Sequence, residues 1–72
     1  MAVKPLNMLN KSMNGRVIVE LRGTREYRGV LDGYDPHMNL VLRKAEELVG
    51  GNKVRDHESV IVRGDNVIYI SP

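Results

Sequence analysis

From Arg16 onward the chain alternates between apolar and polar positions. Val17, Val19 and Leu21 fall between Arg16, Glu20 and Arg22 and predict a half-buried strand, although Ile18 makes its outer face less than fully polar. Gly23-Thr24 turns the chain, and Tyr27, Gly29, Leu31 and Gly33 then share one face of a second strand. Two glycines on one strand face are costly unless the sheet bends there or another backbone comes close. Strong bending is what a small barrel requires. Asp35-Pro36 ends this strand, and Met38, Leu40 and Leu42 resume an inward face. The stretch Lys44-Ala45-Glu46-Glu47-Leu48 favours helix locally. Against that, Gly50-Gly51-Asn52 between Val49 and Val54 is a hairpin-type turn and argues for a continuing strand. Val60-Ile61-Val62 is wholly apolar, Gly64-Asp65-Asn66 turns tightly, and Val67 to Ile70 forms a last strand.

Ahead of the strands, Pro5 suits a first helical turn, Leu6, Leu9 and Met13 form one stripe, and Asn14-Gly15 supplies a stop. A helix over about 5–13 is expected, short enough that it must dock on a core to persist. One helix and five strands predict a mainly β fold, a strongly bent antiparallel open barrel of the small SH3-like or OB-like kind. Such a sheet cannot close on itself. Its edges are too apolar to stay bare, and pairing one edge with the opposite edge of another copy protects both. A head-to-tail interface of that kind repeats and can close into a ring.

Composition narrows the picture. Seventy-two residues make a single domain spanning 1–72, and with 4% aromatics, all tyrosine, the core must be aliphatic. A core of this size supplies only about 3–5 kcal/mol, and small domains commonly need a staple. The chain has no cysteine, and His37 and His57 stand too far apart for ligand spacing, so neither disulfide nor metal is expected. Self-association is the remaining staple. The longest apolar run, Val67-Ile68-Tyr69-Ile70, cannot cross a bilayer, and no secretory leader is visible, so a cytoplasmic protein is expected. A net charge of +2 permits an anionic partner without demanding one.

No residue set reads as catalytic and no cofactor is implied. Ser12, Ser59 and Ser71 lack a nucleophile's surroundings, and neither histidine belongs to a triad pattern. Glu46 and Glu47 are adjacent, so on a strand they face opposite ways, and both are expected in solvent. His57, between Asp56 and Glu58, reads as plain surface. Two loops stand out instead, Asp35-Pro36-His37-Met38-Asn39 and Val62-Arg63-Gly64-Asp65-Asn66, each joining two apolar strands. Imidazole and guanidinium are flat groups that sandwich a nucleobase, and a carboxamide reads a base edge. Taken singly each residue has an ordinary explanation: Asp35 and Asp65 form turns, Asn39 ties down a loop, and His37 and Arg63 are solvated.

Those same residues carry a resemblance. Tyr27-Arg28-Gly29-Val30-Leu31 with Tyr34-Asp35-Pro36-His37-Met38-Asn39-Leu40-Val41-Leu42 resembles the first motif of the Sm and Sm-like (LSm) proteins, and Val62-Arg63-Gly64-Asp65-Asn66-Val67 resembles the second. The first motif spans about 16–48 and the second about 53–70, in the family's order, and the His37-Met38-Asn39 form is most similar to the archaeal members. The resemblance implies the Sm fold and a homo-oligomeric ring, commonly a heptamer, with the fourth strand paired to a neighbour's fifth. It implies a pore that binds single-stranded, uridine-rich RNA and a role in RNA processing, stabilisation or turnover, in concert with other proteins of RNA metabolism. Carried over, His37 and Arg63 stack on a base, Asn39 bonds its edge, Gly64 and Asp65 shape the second loop and support Asn39, and Asp35 holds the first loop. Lys4 and Tyr34 are candidates for a weaker contact on the helix face, Tyr34 equally for packing. Two rival readings remain. One is a structural ring scaffold that binds RNA incidentally; the other is a bacterial-type hexamer preferring adenosine, against which the Arg63-Gly64 step argues.

Overall fold

A computed structural model describes residues 5–72. Helix α1 (Pro5–Ser12) leads into strands β1 (Arg16–Leu21), β2 (Arg25–Tyr34), β3 (Leu40–Val49) and β4 (Asn52–Val62), a 3-10 turn (Gly64–Asn66) and β5 (Val67–Ser71). One antiparallel sheet holds all five strands in the order β4-β3-β2-β1-β5. The expected mainly β architecture, one helix before a bent five-stranded antiparallel sheet, is present.

The helix stops at Asn14, whose φ of 65° places it in the left-handed region that asparagine tolerates. The amide of Asn14 donates to the Leu31 carbonyl at 2.8 Å, and Leu31 returns a bond to Gly15 at 3.0 Å, stitching the helix exit to β2. Leu9 is buried and Met13 packs against the core. Leu6 departs from the expected stripe and is partly exposed, because eight helical residues rest on the core through their second turn.

Leu9 joins Val17, Val19, Leu21, Leu31, Leu40, Leu42, Ala45 and Val62 in one aliphatic core. Leu31, Leu40 and Leu42 are fully inaccessible, and truncating any of them to alanine should cost about 2–5 kcal/mol. The β2–β3 pairing is irregular between Leu31 and Gly33 and, with the closer backbone approach, at Gly29. A Cβ there would sit 3.0 Å from the Ala45 Cα and the Arg43 carbonyl oxygen, and the β2–β3 register slips between Arg28 and Val30. Opposite it, Lys44 takes up the slack with a φ of 50°. Gly33 needs no such space, since a Cβ there would meet Val41 at an ordinary 3.7 Å.

Segment 43–49 is strand. Ladder pairing and the burial of Ala45, Glu47 and Leu48 override its local helix preference. Gly50 and Gly51 (φ 58° and 84°) make a two-residue turn, and Asn52 already pairs with Val49. At this hairpin end Glu47 and His57 depart from expectation. Glu47 is 8% exposed; its carboxylate contacts the His57 Nε2 at 2.8 Å and the Arg25 Nε at 3.5 Å. The Tyr27 ring lies 5.9 Å from that of His57. Two partners on neighbouring strands compensate the carboxylate, which is why it leaves water. The His57 hydrogen bond holds the Glu47 carboxyl below its usual range, and burial raises the Tyr27 hydroxyl above its own.

Strands β4 and β5 are the two open edges, and each exposes large apolar side chains: Val54 and Ile61 on β4, Ile68 and Tyr69 on β5. A register slip on β1 between Glu20 and Leu21 leaves Ile68 without a β1 partner. No helix of the described residues is long and apolar enough to cross a membrane.

Candidate functional site

The β2–β3 loop is organised by the Asp35 carboxylate. Its Oδ1 accepts the backbone N–H groups of His37 (2.9 Å) and Asn39 (3.1 Å), an Asx-type turn. Its Oδ2 accepts the Asn39 side-chain Nδ2–H at 3.0 Å. The Asp35 amide donates to the Asn39 carbonyl at 3.1 Å, and Met38 donates to the Asp35 carbonyl at 3.0 Å. Met38 accepts a left-handed φ of 67° and packs on the core. Hydrogen bonds to the anion, that from the Asn39 amide foremost, hold the Asp35 carboxyl below its usual range.

The second loop meets the first at Gly64. Its N–H donates to the Asn39 Oδ1 at 2.8 Å. No side chain fits at this position: a Cβ would lie 2.1 Å from the His37 carbonyl oxygen and 2.9 Å from the Met38 carbonyl carbon. Arg63 closes the 3-10 turn by accepting the Asn66 amide at 3.1 Å. Its guanidinium meets the Asp65 carboxylate at 3.1 Å with both side chains mostly in solvent, a pair worth little in itself.

His37, Asn39, Arg63, Gly64 and Asp65 therefore line one open recess, with Asp35 behind Asn39. Among the described residues, the exposed His37 imidazole has no hydrogen-bond partner. Of Gly64 and Asp65, both expected to support Asn39, Gly64 does so through its N–H, whereas Asp65 turns to Arg63 and Asp35 takes its place. The Tyr34 hydroxyl reaches the Asn10 Oδ1 on α1 at 3.4 Å, and its ring packs on the core. It also walls a neighbouring recess with Asp35, Asn39 and Ile61. Lys4 lies outside the described residues. Ile61, 73% exposed beside this recess, was not singled out from sequence; the apolar run at 60–62 was its only signal. Among the described residues no three metal-ligating side chains stand together.

The recess offers two flat, exposed side chains and a carboxamide with capacity to spare. An asparagine amide has two N–H donors and an oxygen with two lone pairs. Asp35 takes one donor and Gly64 one lone pair, which leaves one of each for a ligand.

A family model for the LSM domain matches residues 7–72. An snRNP Sm-like protein of Methanococcoides burtonii is 58% identical over 72 residues, all of both chains. One of Archaeoglobus fulgidus is 56% identical over all of this chain and 94% of its own. Among solved structures, a Pyrococcus abyssii Sm protein in complex with a uridine heptamer aligns with a TM-score of 0.93 at 41% identity, covering 97% of this chain and 99% of that one. A heptameric archaeal Sm protein aligns with a TM-score of 0.84 at 42% identity, covering 92% and 96%.

Proposed function

The chain belongs to the LSM-domain family, and on that premise we propose that it is a non-catalytic ring protein that binds single-stranded, uridine-rich RNA in its pore. The observation that carries this reading is the recess itself: His37 and Arg63 expose flat groups in the same recess as Asn39, whose amide keeps one donor and one acceptor free. In this reading the two planes stack on a base, Asn39 bonds its edge, and Gly64 and Asp65 shape the wall. The likeness to an Sm protein that holds a uridine heptamer supports uridine as the base. Its role lies in RNA processing, stabilisation or turnover.

Assembly follows from the open edges. The β4 edge of one copy pairs with the β5 edge of the next, covering Ile61, Ile68 and Tyr69. Similarity to a heptameric Sm protein supports seven copies. Native mass spectrometry with and without oligouridine tests both parts together. A seven-chain ring that retains the oligonucleotide is expected. A folded monomer, or a ring from which oligouridine dissociates as readily as oligoadenosine, would overturn the reading, the latter in favour of a protein scaffold.

A further inference from the structure

We propose that the upstream half of the β4 edge, Asn52 to His57, is a docking surface for an extended, acidic segment of another protein, which adds to the sheet as a sixth strand. The inference rests on the ring reading above and concerns the part of this edge that ring closure leaves open.

The open length follows from the strands themselves. β4 has eleven residues and β5 has five. In a head-to-tail ring each copy has one β5 edge to give and one β4 edge to cover, whatever the number of copies. At most five residues of β4 are therefore paired between subunits, and six remain open. The apolar residues decide which. β5 reads Val67-Ile68-Tyr69-Ile70, and its counterpart on β4 is Val60-Ile61-Val62 at the downstream end. Asn52, Lys53, Val54, Arg55 and Asp56 at the upstream end are exposed, with β3 as their one neighbour in the sheet. Lys44, with its φ of 50°, stands between the Arg43–Ser59 and Ala45–His57 pairs, where the two halves of β4 meet. Side chains at this end are spent on one another, but the backbone of the edge is not. Alternate N–H and C=O groups of an edge strand point away from the sheet and template another strand.

Charge selects the occupant. Two copies of one strand that pair antiparallel about a twofold axis set one residue opposite itself. Centred on Lys53, Arg55, Asp56 or His57, that pairing opposes two groups of one kind; centred on Val54, it opposes Lys53 with Arg55. A second copy of this edge is therefore a poor partner, and a different strand avoids the conflict. Arg55 stands across from Glu47 in the ladder, yet among the described residues it forms no ion pair, since His57 and Arg25 already hold that carboxylate. It is available to a carboxylate arriving on its open side. Asp56, on the other face, stands across from Glu46 and is met by Lys53 at 2.9 Å. Beside them Val54, 56% exposed, offers an apolar contact. The complementary antiparallel strand carries a cation opposite Asp56, a carboxylate opposite Arg55, an apolar residue opposite Val54 and a carboxylate opposite Lys53.

Amide hydrogen exchange on the assembled ring tests this, with the probe peptide Thr-Lys-Glu-Val-Glu-Thr and its charge-swapped form Thr-Glu-Lys-Val-Lys-Thr. In the free ring the outward amides of 52–57 should exchange fast and those of 59–62 slowly. Saturating Thr-Lys-Glu-Val-Glu-Thr should slow the first set by about tenfold, and the charge-swapped peptide should leave it unchanged. Arg55→Gln should remove most of that protection while the ring and its hold on oligouridine persist. Should Arg55→Gln fail to assemble, Lys53→Gln makes the same comparison. No protection by the matched peptide, equal protection by both peptides, or slow exchange of these outward amides in the free ring would overturn the inference. Fast exchange along the whole of 52–62, or a monomer, would instead overturn the ring reading on which it rests.

Discussion

The two ends of the sheet are built from the same residue types and use them in opposite ways. At the hairpin end, between β3 and β4, a histidine, a carboxylate and an arginine are spent on one another: His57 bonds Glu47, and Arg25 closes on the same carboxylate. At the loop end the carboxylate of Asp35 is likewise consumed, by two backbone amides and Asn39. His37 and Arg63, however, remain exposed around it, and the Asn39 amide is only half used. A histidine beside an acid is no signature of a site. Hydrogen-bonding capacity and flat surface left over after the fold has taken its share are what mark one end for a ligand.

The difference is easiest to break at Gly64. Gly64→Ala places a methyl group where the His37 carbonyl already lies, so the two loops must part and Asn39 loses a partner. Losing the base-edge contact and its brace together should cost oligouridine affinity about a hundredfold, measured by fluorescence anisotropy. The hairpin end should be untouched, and the thermal midpoint should fall less than the affinity loss suggests.

His37→Ala and Arg63→Ala sharpen the loop end. Each should remove stacking worth about 1–3 kcal/mol per base. They differ in charge, because only the guanidinium carries a fixed cation. Arg63→Ala should flatten the slope of log affinity against log salt by about 0.7 per phosphate no longer neutralised, and His37→Ala should leave the slope unchanged. Titrations at three salt concentrations separate the two.

At the other end, His57→Ala should leave oligouridine affinity within about twofold and cost about 1–3 kcal/mol of stability, since the inward-facing Glu47 loses its nearest donor. In a chain this short that lowers the thermal midpoint by several degrees, roughly 4–8 °C per kcal/mol. Acid should act on both ends together. Asp35 and Glu47 are each held below the ordinary carboxylate range. Their contributions are complete above about pH 5 and are withdrawn only as pH falls through the lowered folded-state values. Stability should be flat from neutrality to about pH 5, and His57→Ala should move the acid limb upward, because the His57 hydrogen bond is the main cause of the Glu47 shift.

How much of this was legible along the chain depended on distance in sequence. The alternation of Val17, Val19 and Leu21, the Asn14-Gly15 stop and the demand of Gly29 for a close neighbour are local, and each has its counterpart in the structure. The meeting of the two loops is not local: the bond from Gly64 to Asn39 spans 25 residues and exists only once β3 and β4 are in register. Glu47 was expected in water because acids usually lie there, and its burial depends on His57 ten residues on and Arg25 on the neighbouring strand β2. Support of Asn39 was expected from Gly64 and Asp65 together; the Gly64 N–H does reach Asn39, whereas Asp65 is drawn to the nearer charge of Arg63 and Asp35 stands in its place. Leu6 fits the helical stripe and still remains partly exposed, because periodicity gives the face of a helix and not how far the core beneath it extends.

The contrast between the two ends is tested most directly by photocrosslinking an oligouridine that carries 4-thiouridine to the assembled ring and mapping the modified peptides. Crosslinks confined to residues 35–39 and 63–66, lost in the presence of excess unmodified oligouridine, are the expected result. Crosslinks at the Glu47–His57 hairpin end, with none in the two loops, would contradict it.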